Sequence, residues 1–118
     1  MKKEKFKVIQ FTRELIIKLE NELDNFPKKD IEIKNKIKMS SYELLALEYE
    51  ANTTQNNTRK IELLEKCIAK IKVIDFLLDM SYERKLITQK KLIKLGLQMD
   101  DIIKYCTGWL KTIDENRV

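Results

Sequence analysis

The sequence predicts an all-α fold: an up-down-up-down antiparallel four-helix bundle forming one domain over residues 1–118. Three observations carry that reading. Two glycines and one proline among 118 residues are too few for the turns of a β-sandwich or barrel. Apolar residues recur at spacings of three and four over four long segments, the period of an amphipathic helix. Hydrophobic residues at 43% and charged residues at 36% suit helices that bury one face and solvate the other. A chain of this length builds one core.

The first helix is expected from about residue 5 to Asn25. Ile9, Thr12, Ile16, Leu19, Leu23 and Phe26 form its stripe, widened by Val8, Phe11 and Leu15. Pro27 follows and drives Phe26 out of helical geometry. The second helix opens near Asp30, a candidate N-cap. Ile33, Ile37, Ser41, Leu44, Leu47 and Ala51 share one face, flanked by Tyr42, Leu45 and Tyr49. The polar run over residues 52–58 reads as a loop.

The third helix is expected from about Arg59 to Lys85. Ile61, Leu64, Ile68, Ile71, Leu78 and Tyr82 make one stripe, broken by Asp75, and Leu63, Cys67, Ile74, Leu77 and Ser81 make a second. Such width predicts contacts on more than one side, and this reading assigns part of it to a subunit interface. Thr88 caps the fourth helix, where Leu92, Leu95, Met99, Ile102, Cys106, Leu110 and Ile113 repeat. Turns are thus placed near residues 25–30, 53–58 and 86–88. The expected core includes Ile16, Leu19, Ile37, Leu44, Leu64, Ile68, Ile71, Leu95, Met99 and Ile102. Long helices joined by short connections pack antiparallel.

The chemistry of catalysis is sparse. There is no histidine, which removes the usual general base and the commonest metal ligand together. No phosphate-binding glycine loop, nucleophile elbow or metalloprotease motif is present. Asp75 with Asp79, and Asp100 with Asp101, are carboxylate pairs without the histidines that di-metal bundles use. Cys67 and Cys106 lack zinc spacing and read as reduced core residues; the competing reading is a disulfide between helices three and four. Trp109 reads as a packing anchor, since Cys106, Leu110 and Ile113 surround it at helical spacing. The expectation is a protein that is not an enzyme and carries no cofactor. The basic start Met1-Lys2-Lys3-Glu4-Lys5 has no apolar run behind it, so a cytoplasmic chain without membrane contact is expected.

Net charge is +5, unevenly spread. Arg84, Lys85, Lys90, Lys91 and Lys94 form one cluster without an acidic residue between them. Lys28, Lys29, Lys34, Lys36 and Lys38 form a second, against Asp30 and Glu32. In an up-down bundle the first and third connections lie at one end, so these ten residues are expected to meet there. Glu20, Glu22, Asp24, Asp79 and Glu83 lie near the same end and partly offset them. The bland reading is a solvated lysine-rich surface. The functional reading is a basic end that neutralises phosphates of RNA or DNA without reading bases. Lys2, Lys3, Lys5 and Lys7 at the opposite end are the next candidates.

A family resemblance runs through the chain, most clearly from Phe26 to Lys111. Its elements are Phe26-Pro27-Lys28, then Leu44-Leu45-Ala46-Leu47-Glu48-Tyr49-Glu50-Ala51-Asn52, a polar loop and Arg59. Leu77 to Glu83, Ile87-Thr88 and Gly108-Trp109-Leu110-Lys111 complete it. In order and spacing these resemble the accessory variability determinant (Avd) proteins of diversity-generating retroelements. Thr107 stands where such chains usually carry a further glycine. A sister group, the four-helix proteins of ribosomal RNA intervening sequences, is similar in outline. Those typically carry Pro-Ala-Asn-Ile-Ala-Glu-Gly where this chain has Leu47-Glu48-Tyr49-Glu50-Ala51-Asn52-Thr53.

The resemblance implies a homopentameric barrel of four-helix protomers with a basic surface. It implies a non-enzymatic partner of a reverse transcriptase and its template RNA in mutagenic cDNA synthesis. The alternatives are an intervening-sequence type protein and a structural oligomer that binds only protein.

Overall fold

A computed structural model describes the backbone of residues 2–115 and the side chains of residues 4–113. Met1 and the side chains of Lys2 and Lys3 lie outside the described residues. Four helices follow one another: α1 (Lys2–Leu23), α2 (Ile31–Thr53), α3 (Asn57–Glu83) and α4 (Gln89–Glu115), with a single 3₁₀ turn at Lys28–Asp30 before α2. There is no strand among the described residues. Each helix packs on two neighbours, α1 on α2 and α4, α3 on α2 and α4, and among the described residues no Cα pair comes within 8 Å across either diagonal. The result is a square antiparallel bundle measuring 51 × 23 × 18 Å.

Cross-links along the seams show the antiparallel register. Thr12 meets Glu48, Lys18 meets Gln98, Lys70 meets Glu43 and Lys91 meets Glu22. On the α1–α4 seam, which carries two of these links, the partner number falls as the chain number rises.

The core is one continuous cluster running from Val8 to Ile113. Nine of the ten expected core residues are buried; Ile68 is the exception and is only half-buried. The two stripes on α3 are largely consumed inside the protomer: Leu63, Leu64, Cys67, Ile71, Ile74 and Leu78 are all buried. This corrects the expectation that α3's width needed a second subunit. A corner helix of a square bundle faces two neighbours, and two stripes serve two neighbours.

Helix ends differ from the expectation in instructive ways. α1 stops at Leu23, two residues early, and Phe26 turns back into the core at 7% exposure ahead of Pro27. Asp30 stands at the N-cap position of α2 but makes no capping hydrogen bond there. The expected loop over residues 52–58 shrinks to residues 54–56. Asn56 accepts from the Arg59 amide at 3.0 Å, so an N-cap inside the polar run starts α3 earlier than Arg59. Thr88 caps α4 as expected, accepting from the Lys91 amide at 3.2 Å.

At the far end of α4, Trp109 is buried to 3% exposure. Beside it, a Cβ on Gly108 would lie 2.9 Å from the Glu4 Cγ. The glycine lets the first turns of α1 approach α4 closely. No helix among the described residues is long and apolar enough to cross a membrane.

Candidate nucleic-acid interface

The first and third connections share one end of the bundle. The link is direct: Arg84, just past α3, reaches Asp30 at the start of α2, with Nη1 to Oδ1 at 3.5 Å. Asp30 is buried, and its carboxylate serves the neighbouring loop rather than capping its own helix. On the α1–α4 seam, Lys91 Nζ meets Glu22 Oε2 at 3.1 Å. Both pairs include an exposed cation, so each contributes about 0.2–1 kcal/mol and acts more on position than on stability.

These pairs divide the ten predicted residues. Arg84 and Lys91 are engaged by carboxylates. Lys28, Lys29, Lys36, Lys85, Lys90 and Lys94 are exposed, while Lys34 and Lys38 are half-buried along α2. Lys28 and Lys29 ride the 3₁₀ turn, and Lys90 sits in the first turn of α4. With Lys85 they crowd the tip of the bundle. Lys38 lies eight residues beyond Asp30, about 12 Å down α2 at 1.5 Å per residue. The second cluster therefore spreads from the tip onto the flank.

Lys85 has a distinctive backbone. Its φ is +64°, the one non-glycine residue in the left-handed region among the described residues. Its amide donates to the Tyr82 carbonyl at 2.9 Å, and the Leu86 amide reaches the Ser81 carbonyl at 2.8 Å. This pairing is a Schellman motif, in which glycine is the usual residue at the Lys85 position. A lysine there is held against its own backbone preference and projects charge at the tip. Beside it lies a shallow depression of about 560 Å³ lined by Glu22, Asn25, Tyr82, Lys85, Thr88 and Lys91 among others.

The tip and the flank below it are not purely basic. Tyr42 donates to Glu20, and Glu22 and Asp30 are occupied by their cations. These pairings engage part of the acidic set that was expected to offset the clusters. At the opposite end, Lys5 and Lys7 are half-buried, and Lys7 Nζ sits 5.4 Å from the Phe11 ring centroid.

The other candidates resolve into structure. Cys67 and Cys106 are buried and unbonded to each other; burial first, with the Glu48 carboxyl adding to it, pushes both thiols up, Cys106 to about 12. Partial burial first, then Asp79 and Asp100, raise the Asp75 carboxyl against the opposing pull of Lys72. No group of three or more histidine, cysteine or carboxylate side chains among the described residues could hold a metal ion.

One residue missing from the stripes read from sequence is Glu48, which is fully buried in the bundle. Its position in the apolar period, four residues after Leu44 and three before Ala51, is the available signal.

Compared with protein-family models, curated proteins and solved structures, the chain matches none of them.

Proposed function

We propose that this chain is a non-enzymatic accessory protein of a diversity-generating retroelement. It binds template RNA, with little sequence preference, beside the reverse transcriptase during mutagenic cDNA synthesis. The observation that carries the reading is the meeting of the first and third connections at one tip through Arg84 and Asp30, with Lys28, Lys29, Lys85 and Lys90 exposed on the segments that converge there. The motif order that resembles the Avd family supplies the biological setting.

Exposed lysines at the tip neutralise phosphates and leave base edges unread. A single tip binds weakly in salt. In this reading five copies form a ring, and repeated tips act together through effective concentration. Large apolar side chains left exposed on outer faces, Phe6 and Ile17 on α1, Val73 and Phe76 on α3, and Ile93 and Leu97 on α4, supply surface for such contacts.

Two measurements test the proposal. Light scattering at micromolar concentration should return five times the 14.1 kDa chain mass; a monomer removes the ring. Binding to a structured RNA should fall steeply with salt. A Lys28→Glu/Lys29→Glu/Lys90→Glu variant should flatten the log–log slope by roughly 2–3. Unchanged affinity and slope in a folded variant would show that this tip is not the site, and Lys5 and Lys7 would come next.

A further inference from the structure

We propose that Glu48 is a proton-operated latch. The closed bundle requires its carboxyl to be protonated, and loss of that proton loosens the α1–α2 seam. Three features of the site carry this.

First, Glu48 is fully buried and only half satisfied. Thr12 Oγ1 donates to Oε2 at 2.7 Å, while Oε1 is buried without a hydrogen-bond partner. An ionised carboxylate in that position would keep a full charge with one donor, which is strongly unfavourable. A neutral acid needs far less.

Second, no cation among the described residues compensates it. α1 presents Thr12, and the titratable groups that feel Glu48 are the thiols of Cys67 on α3 and Cys106 on α4. Both are themselves neutral. Burial, opposed by the Thr12 hydrogen bond, raises the Glu48 carboxyl to about 8. The chain has no histidine, and both thiols are pushed well above neutrality. Glu48 is thus the fully buried side chain placed to titrate near neutral pH.

Third, a route to water adjoins it. Asn52 lies one helical turn further along α2, half-buried, with an unpartnered buried Oδ1. It lines an open groove of about 750 Å³ on the α1–α2 seam together with Ile9, Arg13 and Tyr49. Arg13 adjoins Thr12 in sequence and is exposed. The charged groups lining this groove are Lys5, Arg13 and Glu14, so a carboxylate that leaves the core through it meets water and two cations against one carboxylate, which already accepts from Gln10. Ionisation therefore draws Glu48 past Asn52 toward Arg13 and parts α2 from α1 at this level.

The sign follows from linkage. The folded state binds the proton more tightly than the unfolded chain, so the contribution of Glu48 to stability is greatest below the ordinary carboxylate range. It declines as pH rises toward about 8, beyond which the loss levels off. Between about pH 6 and pH 8, below the range in which the two buried thiols also favour the unfolded chain, the unfolding equilibrium constant should rise roughly fiftyfold.

The test is urea unfolding of the full chain across that range, for the native protein and Glu48→Gln, with carboxyl carbon NMR of the native protein in parallel. Glutamine keeps the shape and cannot ionise. The native protein should lose stability with pH while Glu48→Gln stays nearly flat. Amide exchange on the α1–α2 seam, corrected for its intrinsic pH dependence, should quicken at high pH in the native protein alone. A Glu48 resonance titrating in the ordinary carboxylate range would overturn the proposal. So would equal pH slopes in the two proteins. Should Glu48→Gln fail to fold, the NMR titration of the native chain decides alone.

Discussion

Thr12 and Glu48 face each other across the α1–α2 seam, hydroxyl to carboxyl at 2.7 Å, with neither side chain exposed to solvent. The pair is polar and lies beside a core cluster of apolar side chains, so its members are coupled. Thr12→Val keeps the shape and removes the hydroxyl that donates to Glu48. It should destabilise by about 1–3 kcal/mol, the cost of leaving a buried acceptor unpaired. Glu48→Leu removes the buried acid itself. The double variant replaces both partners by apolar groups and should be less destabilised than the sum of the singles. Urea denaturation of all four proteins at slightly acidic pH measures the coupling. Simple additivity would mean the hydrogen bond contributes nothing.

Leu64 and Leu95 are buried on α3 and α4, at 0% and 3% exposure. Leu64→Ala and Leu95→Ala should each cost about 2–5 kcal/mol, from reduced burial plus the residual cavity. Denaturant midpoints should move down with little change in slope. A change near zero at both sites would contradict the packing described.

Gly96 offers the reverse case. It lies inside α4, and a Cβ built there meets no atom within 4 Å. Gly96→Ala should stabilise by about 0.5–1 kcal/mol through helix propensity and the reduced freedom of the unfolded chain. Gly108 differs, because its added Cβ would press on Glu4 at 2.9 Å. Thermal unfolding of both variants should rank Gly96→Ala above Gly108→Ala.

The sequence carried the helices and most of the core because period and burial are local consequences of one another: Ile37, Leu44, Leu64 and Ile102 recur at helical spacing and are fully buried. It misjudged α3, whose two stripes look excessive until a square bundle supplies two neighbours. It also placed the second loop too generously, since Asn56 both belongs to the polar run and caps a helix. That the first and third connections share one end, where Arg84 reaches Asp30, was legible from topology alone. The engagement of Arg84 by Asp30 and of Lys91 by Glu22 was not, because pairing depends on side-chain reach across a seam. Glu48 was hidden by its type: a glutamate in a helix normally signals the solvent face, and only its position in the apolar period said otherwise.

Lys85 separates stability from binding at the tip. Its positive φ is the conformation that glycine adopts without strain, and for other residues it costs roughly 1–2 kcal/mol. Lys85→Gly relieves that strain and keeps both backbone hydrogen bonds of the helix terminus. Part of the relief returns as extra freedom in the unfolded chain, leaving a net gain of about 0.5–1 kcal/mol. The same change removes one exposed cation from the proposed interface, so the salt slope of RNA binding should fall by about 0.9 for each phosphate that Lys85 neutralises. Lys85→Gly should therefore be the more stable protein and the weaker binder, a combination that general damage to the fold does not produce. Chemical denaturation and a salt titration of RNA affinity on the same preparation read both quantities. A variant that gains stability and binds RNA as before would remove Lys85 from the interface and leave its backbone strain without a functional counterpart.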